Sequence, residues 1–395
     1  MADFTTEARL LIIHHSEIAL KKGNRAFFEK RLRLSIRNAL AGLGEFRIIS
    51  GYGRILLFIA PSISIELALQ RLRKVIGIAA VRVSFRGDVD PHVLKCEILE
   101  QVKNLSFASF RVDARRADKS FPYTSVQINE IVGGYIHERL NKPVDLKAAE
   151  LVIPIEIFNR RVYFSIHAVS GERGLPIGST GKVLSLLSSG IDSPVSSFLM
   201  MKRGCHVTFV HFHSFPFTEK SSYYNAIELV RRLTVFQYHS RLYLVPLAEI
   251  QRAIIAAAPA KLRIVLYRRV MLRLAERIAG RERCPALVTG DSLGQVASQT
   301  LHNIAAVSEA GHLPVLRPLI GLDKEEIIRI ARRIGTFEVS TEPYDDCCSF
   351  MAPPNPETNA KPAEVLEAER RIMKMGELLQ NALAKIEIER FSFPV

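Results

Sequence analysis

Hydrophobic residues in the first 170 positions gather in short apolar or alternating runs at 10–15, 46–50, 55–59, 80–85, 110–113, 151–158 and 162–167, which predict β-strands. Between them, apolar positions spaced by three and four residues predict amphipathic helices over 25–42, 63–75, 91–104 and 124–140. This mixed order predicts small α+β units rather than one large doubly wound sheet. After Gly171 a connector rich in Gly and Pro, GERGLPIGSTGK, leads into an apolar run at 183–187. Strand patterns at 206–212, 241–245 and 286–288 then alternate with helical patterns near 193–203, 221–233, 260–280 and 323–334. Continuously apolar strands separated by helices predict a parallel sheet covered on both faces. The last forty residues begin with a Pro- and Asn-rich loop at 353–362, and their dense charge predicts a helix ending near Glu389. There is no internal repeat.

The length of 395 residues, 48% hydrophobic and 24% charged, suits two or three domains and excludes both disorder and a small disulfide scaffold. A formal charge of +14 attracts polyanions, either nucleic acid or an anionic membrane surface. No run of about eighteen apolar residues is present to span a bilayer, and acidic residues interrupt the N-terminal apolar stretch too early for a signal peptide. A cytoplasmic protein with no membrane partner is therefore expected. Up to residue 180 there are 27 Lys and Arg against 18 Asp and Glu, so most of the positive excess lies in the first half. The five cysteines, an odd number with no C-x-x-C spacing, speak against structural zinc or a disulfide framework and for a reducing compartment. Cys347 and Cys348 stand apart from ordinary core usage because they follow a loop-like acidic segment, Glu342-Pro-Tyr-Asp-Asp346.

The most informative stretch is Ser185-Leu-Leu-Ser-Ser-Gly-Ile-Asp-Ser193, an apolar strand running through a small-residue loop into a helix with Pro194 in its first turn. Backbone N–H groups of such a loop and of the helix start suit phosphate, and Asp192 is placed to hold a phosphate-bound Mg²⁺. Helix capping by Asp192 or Ser193 explains the same residues without a ligand. Gly181-Lys182 fails as the end of a Walker A loop because Val183 replaces the required Ser or Thr. Gly290-Asp-Ser-Leu-Gly294 matches the nucleophile elbow of hydrolases at Ser292. The only later histidines are His302 and His312, and the only acid between Ser292 and His312 is Glu309, too close in sequence for the usual triad.

Ser188-Ser-Gly-Ile-Asp-Ser193 resembles the SGGxDS loop (PP-loop) of enzymes that cleave ATP between its α and β phosphates. Val210-His-Phe-His-Ser214, the segment 288–300 (VTGDSLGQVASQT), the segment 316–326 (LRPLIGLDKEE), Ile334-Gly-Thr336 and Asp346-Cys-Cys348 narrow the resemblance to the tRNA 4-thiouridine synthetase family. In the first half, the segment 17–25 (EIALKKGNR) resembles that family's ferredoxin-like domain, and the segment 115–122 (RRADKSFP) with Gly174-Leu-Pro-Ile-Gly178 resembles its THUMP RNA-binding domain. The resemblance implies an α/β fold: a ferredoxin-like domain at 1–62, a THUMP domain at 63–168, a linker at 169–180, and a parallel-sheet PP-loop ATP pyrophosphatase domain at 181–395. It also implies the form of the family that lacks a C-terminal rhodanese-like domain. One departure falls in the loop, where Ser189 replaces the family's first glycine. If that position required a positive φ, serine would cost up to about 1–2 kcal/mol; alternatively its hydroxyl adds a phosphate bond.

The implied reaction is ATP-dependent: uridine 8 of tRNA is adenylated at O4, and a persulfide sulfur then displaces AMP to give 4-thiouridine. A related role in sulfur transfer for thiamine thiazole synthesis is implied as well. Residue by residue, the resemblance places ATP against Leu186, Leu187, Ser188, Gly190, Ser193, His211, Phe212, Arg268, Gly290 and Gln299. It assigns catalysis to Asp192, Lys324 and Cys347, with Cys348, Cys205 or an external thiol resolving the sulfur adduct. Lys21, Lys22, Arg25, Arg111, Arg115, Arg116 and Lys119 are the candidates for phosphate contacts to tRNA. Without the resemblance these charges read as solvated, Arg268 as part of a basic helix face, and Lys324 as a first-turn residue beside an acidic helix start. The expected partners are tRNA, a cysteine desulfurase or other persulfide donor, a separate rhodanese-like protein and a second copy in a homodimer. A PP-loop ligase or amidotransferase acting on a small molecule, and a tRNA-binding protein with a degenerate PP-loop, are the alternatives. The first explains neither the basic half nor Cys347.

Overall fold

The computed structural model describes residues 9–21, 23–51, 53–342 and 353–394. The chain forms two compact units and passes from one to the other between Gly174 and Leu175. The first unit contains strands β1 (Arg9–His15), β2 (Phe46–Gly51), β3 (Arg54–Ile59), β4 (Ile78–Gly87), β5 (Phe110–Arg116), β6 (Leu151–Phe158) and β7 (Arg161–Ser170). Its helices are α1 (Arg25–Ala39), α2 (Ile65–Leu72), α3 (Pro91–Val102) and α4 (Ser125–Leu140).

The strands expected in two small domains share one sheet, in the order β2-β3-β1-β4-β7-β6-β5, with β4 paired to both β1 and β7. A Thr124–Gln127 capping box starts α4, satisfying helix N–H groups that would otherwise lack partners. Ile128, Val132 and Ile136 of α4 and Leu94 and Ile98 of α3 bury their apolar faces against Val112, Ile153 and Phe164 of the sheet. Glu156, on β6, is buried among cations: Arg82 Nη1 lies 2.8 Å and His14 Nε2 2.9 Å from its Oε1, and Arg54 binds its other oxygen. Burial favours the neutral acid, but the bonds and charges of His14 and Arg54 outweigh it and bring the Glu156 pKa down to about 2.

The second unit contains β8 (Lys182–Leu186), β9 (His206–His213), β10 (His239–Pro246), β11 (Leu287–Val288), β12 (Val315–Leu316) and β13 (Glu387–Ser392). Its helices are α5 (Asp192–Lys202), α6 (Ser221–Gln237), α7 (Ala248–Ala257), α8 (Arg263–Glu282), α9 (Leu301–Ser308), α10 (Lys324–Ile334), α11 (Phe337–Thr341), α12 (Pro362–Arg370) and α13 (Met375–Ala384). The sheet order is β12-β11-β8-β9-β10-β13. Five strands are parallel, and β9, buried from Val207 to His213, is covered on both faces as such a sheet demands.

The C-terminal segment departs from the expected single helix. Lys374 takes a left-handed conformation between α12 and α13, and β13 then pairs antiparallel to β10. Residues 386–393 read IEIERFSF, two short alternating runs that change phase at Glu389-Arg390, and their charges suit an edge strand. Chain order reverses direction between β8 and β11, since β9 and β10 lie to one side of β8 and β11 and β12 to the other. The carboxyl ends of these two strands therefore flank the crevice where open parallel sheets bind ligands. Among the described residues, no helix is long and apolar enough to cross a membrane.

Candidate active site

A cavity of about 380 Å³ occupies that crevice. Leu186, Leu187 and Ser188 enter it from the end of β8, and His211 and Phe212 from β9. Gly190 and Ser193 come from the loop and the first turn of α5, Arg268 from α8, and Gly290 and Gln299 from the segment after β11. All ten residues expected to frame ATP thus line one cavity. Thr289, Asp291, Gln295 and Ser298 line it too and were not anticipated.

The loop is closed by its own hydroxyls rather than by a helix cap. No side chain caps α5; instead Ser193 Oγ accepts from the Ser188 N–H at 2.8 Å and donates to the Ser188 carbonyl at 3.0 Å. Capping by Asp192 or Ser193 is thereby excluded, and the Asp192 carboxylate is directed elsewhere. Ser189 does not take a positive φ, so the expected backbone strain is absent. Its side chain is buried and donates to the Ser222 carbonyl at 2.9 Å, which ties the loop to α6 and turns the hydroxyl away from a phosphate role. Gly290 is needed for close approach: a Cβ there would stand 2.8 Å from the Ser193 nitrogen and 2.9 Å from its Cα.

Asp192, Lys324 and Gln295 converge at the cavity mouth. Lys324 Nζ lies 2.7 Å from Asp192 Oδ1, and Gln295 Nε2 donates to Asp192 Oδ2 at 2.8 Å. Lys324 reaches this point because Asp323 and Glu326 form a capping box that fixes the start of α10, with Gly335 in the left-handed conformation closing its other end. The sequence separation of 132 residues between Asp192 and Lys324 explains why neither side chain reveals its partner locally.

One wall of the cavity is a buried ionic cluster. Asp291 accepts from Thr289 Oγ1 at 2.7 Å and Arg317 Nε at 3.1 Å, and pairs with Arg268, which also donates to the Ser298 carbonyl at 2.9 Å. Burial opposes ionisation of Asp291, but Arg268, Thr289 and Arg317 together hold its pKa below the usual carboxylate range. His211 faces the Leu187 carbonyl through Nδ1 at 2.8 Å, so that nitrogen carries the proton. Burial lowers its pKa to about 4, leaving a neutral ring whose Nε2, like Gln299 Oε1, is buried without a protein partner. Orphaned polar atoms in a concave apolar site suit a hydrogen-bonding ligand.

Ser292 is buried and donates to the Leu322 carbonyl at 3.0 Å, which disposes of the hydrolase elbow. Among the described residues no group of three His, Cys, Asp or Glu is set to hold a metal. Cys347 and Cys348 lie outside the described residues. Cys205 is buried, 3.3 Å from Thr180 Oγ1, and precedes β9 at the end opposite the cavity, about 25 Å along the strand at ~3.3 Å per residue.

In the first unit, several expected tRNA contacts already have internal partners. Arg25 pairs with Glu29 at 2.8 Å and Arg115 with Asp113 at 2.9 Å. Arg111 donates to the Leu146 carbonyl at 2.7 Å, Arg116 to that of Phe121 at 3.0 Å, and Lys21 sits 5.6 Å from the Phe28 ring centre. Lys119 is exposed, and Lys22 lies outside the described residues. Beside the Arg116–Phe121 bond, Phe121, Tyr123, Asp118 and Arg160 line a further cavity of about 520 Å³.

A parallel sheet whose switch-point crevice is gripped by a hydroxyl-closed loop and a helix N-terminus defines a nucleotide-binding α/β domain. Comparison with known proteins makes the class specific. Residues 178–374 match the family described as thiamine biosynthesis protein (ThiI), residues 10–81 its ferredoxin-like domain, and residues 96–167 the THUMP domain. A probable tRNA sulfurtransferase of Thermus thermophilus is 43% identical over 98% of this chain and 95% of its own length. Another from Moorella thermoacetica is 39% identical over 96% of each chain. The crystal structure of a 4-thiouridine synthetase in complex with RNA and bound ATP superposes with a TM-score of 0.87 at 32% identity, over 98% of this chain and all of that one. The chain belongs to the tRNA sulfurtransferase family.

Proposed function

We propose that this protein is an ATP-dependent tRNA sulfurtransferase that converts uridine 8 of tRNA to 4-thiouridine, forming AMP and pyrophosphate. The convergence of Asp192, Lys324 and Gln295 on the mouth of a cavity fitted to a nucleotide is the observation that carries this reading. The neutral His211 offers an acceptor at Nε2, Gly290 lets backbone approach the ligand, and the Asp291 cluster keeps Arg268 in place. Lys324 sets a positive charge where pyrophosphate departs, and Asp192 holds it there. Asp192 would also be the protein ligand of a Mg²⁺ carried on the ATP phosphates, neutralising further charge.

The sulfur steps fall to the cysteine pair. The terminal sulfur of a Cys347 persulfide bonds to C4 of the adenylated base as AMP leaves. A second thiol, Cys348 or an external one, then attacks Cys347 Sγ, releasing 4-thiouridine and leaving a disulfide for a cellular dithiol to reduce. The position of Cys205 at the far end of β9 disfavours it in this role. The basic residues of the first unit supply phosphate contacts to tRNA, and a cysteine desulfurase or rhodanese-like protein supplies the persulfide. Nucleoside analysis of unmodified tRNA incubated with the protein, ATP, Mg²⁺, cysteine and a cysteine desulfurase should show 4-thiouridine. Full activity in Cys347→Ala would overturn the sulfur assignment.

A further inference from the structure

Exposed large aromatic side chains are scarce on this protein, and their placement is uneven. Among the described residues four phenylalanines and tyrosines are strongly exposed, and three of them lie within ten residues of each other: Phe215 (44%), Phe217 (40%) and Tyr224 (60%). The segment leaves β9 directly after His211 and Phe212, which line the nucleotide cavity. It is also tied to the PP-loop, because Ser189 donates to the carbonyl of Ser222 in the first turn of α6. The aromatic cluster thus stands at the same end of the sheet as the cavity.

A cation lies within the cluster. Lys220 Nζ is 4.9 Å from the ring centre of Phe215 and 5.5 Å from that of Tyr223, and Tyr223 meets Tyr224 edge to face at 5.5 Å. Tyr223 is anchored through its hydroxyl to Glu387 of β13 at 3.0 Å. Among the described residues no carboxylate pairs with Lys220. Exposed rings around an unneutralised ammonium match a nucleotide, whose base stacks on aromatic faces and whose phosphate takes the cation.

The chemistry proposed above demands such a surface. O4 of the target uridine must reach the α-phosphate, and a base stacked within folded tRNA is out of reach unless it is extruded and its lost stacking replaced. We propose that Phe215, Lys220 and Tyr224 form a platform that holds the extruded target nucleotide beside the cavity, Phe215 stacking on the base and Lys220 taking its phosphate. These are positioning residues, and the inference rests on the tRNA sulfurtransferase reading.

The test uses the full-length protein and tRNA carrying 2-aminopurine immediately 3′ of the target uridine, whose fluorescence rises when its neighbour leaves the stack. Phe215→Ala and Lys220→Ala are expected to lower kcat/KM for thiolation about tenfold or more and to suppress the fluorescence rise, with ATP affinity unchanged. Phe215→Tyr should restore both, and Phe215→Leu neither. Wild-type rate and fluorescence in Phe215→Ala would overturn the platform. So would a parallel loss of ATP affinity, which would assign the segment to the nucleotide site, or a change in oligomeric state, which would make it an interface between copies. A wild-type protein that forms no 4-thiouridine would instead defeat the sulfurtransferase reading itself.

Discussion

Replacing Lys324 with methionine removes one charge while keeping most of the side chain's length, and its effects on stability and on rate should separate widely. The ammonium is 2.7 Å from Asp192, but the lysine side chain is 42% exposed and that of Asp192 20%. So open an ion pair contributes about 0.2–1 kcal/mol to folding. The capping box that starts α10 uses Asp323 and Glu326 and survives the substitution. Unfolding in urea should therefore shift by less than about 1 kcal/mol. In the proposed reaction the same charge faces the departing pyrophosphate and is comparable to an oxyanion-hole donor, whose loss costs about 10²- to 10³-fold in kcat. Single-turnover 4-thiouridine formation at saturating ATP should fall by that factor. Asp192→Asn should also slow the reaction, and the double variant should lose less than the product of the two, because the residues act as a unit. A Lys324→Met rate within threefold of wild type would refute the reasoning, as would a rate loss matched by an equal loss of stability.

Other expectations concern the loop and the first unit. Ser189→Ala should destabilise the protein by about 1 kcal/mol, since it strips the donor from the buried Ser222 carbonyl; with no positive φ to relieve, Ser189→Gly should be no more stable, and urea titration of both checks this. Gly290→Ala drives a Cβ into the rigid first turn of α5 and should weaken ATP binding about tenfold or more, measured by calorimetry, while the fold persists. Glu156, with a pKa brought from 4.5 to about 2, stabilises the fold fully above pH ~4.5 and loses that contribution as pH falls toward 2. Denaturation midpoints of Glu156→Gln should lack this part of the acid slope, and parallel slopes in the two proteins would contradict the assignment.

The fold was legible where hydrophobic pattern and burial coincide. The run HVTFVHFH is buried along nearly its whole length and reads as an interior strand from composition alone. β12 was invisible because two residues carry no periodicity. β13 was misread because charge density, and the change of phase at Glu389-Arg390, hid two short alternating runs. The shared sheet of the first unit depends on β4 pairing at both edges, a long-range choice that local pattern does not encode.

The site divides in the same way. The loop from Ser188 to Ser193 carries its own signature, and the resemblance extended it to ten of the residues that line the cavity. Gln295 and Asp291 escaped notice because their roles depend on partners distant in the chain: Asp192 lies 103 residues from Gln295, and Arg268 and Arg317 flank Asp291 from other elements. A buried acid between two arginines was the available signal, but burial is a tertiary property. Ser189 shows the opposite limit, since its hydroxyl partner was unknowable before α6 was placed.

In the proposed reaction uridine O4 itself becomes the oxygen bonded to the α-phosphate. Unmodified tRNA labelled with ¹⁸O at C4 of uridine 8 should, on conversion to 4-thiouridine, deliver its label to AMP, one atom for each thiolated tRNA. Unlabelled AMP formed alongside thiolated tRNA would contradict adenylation at O4.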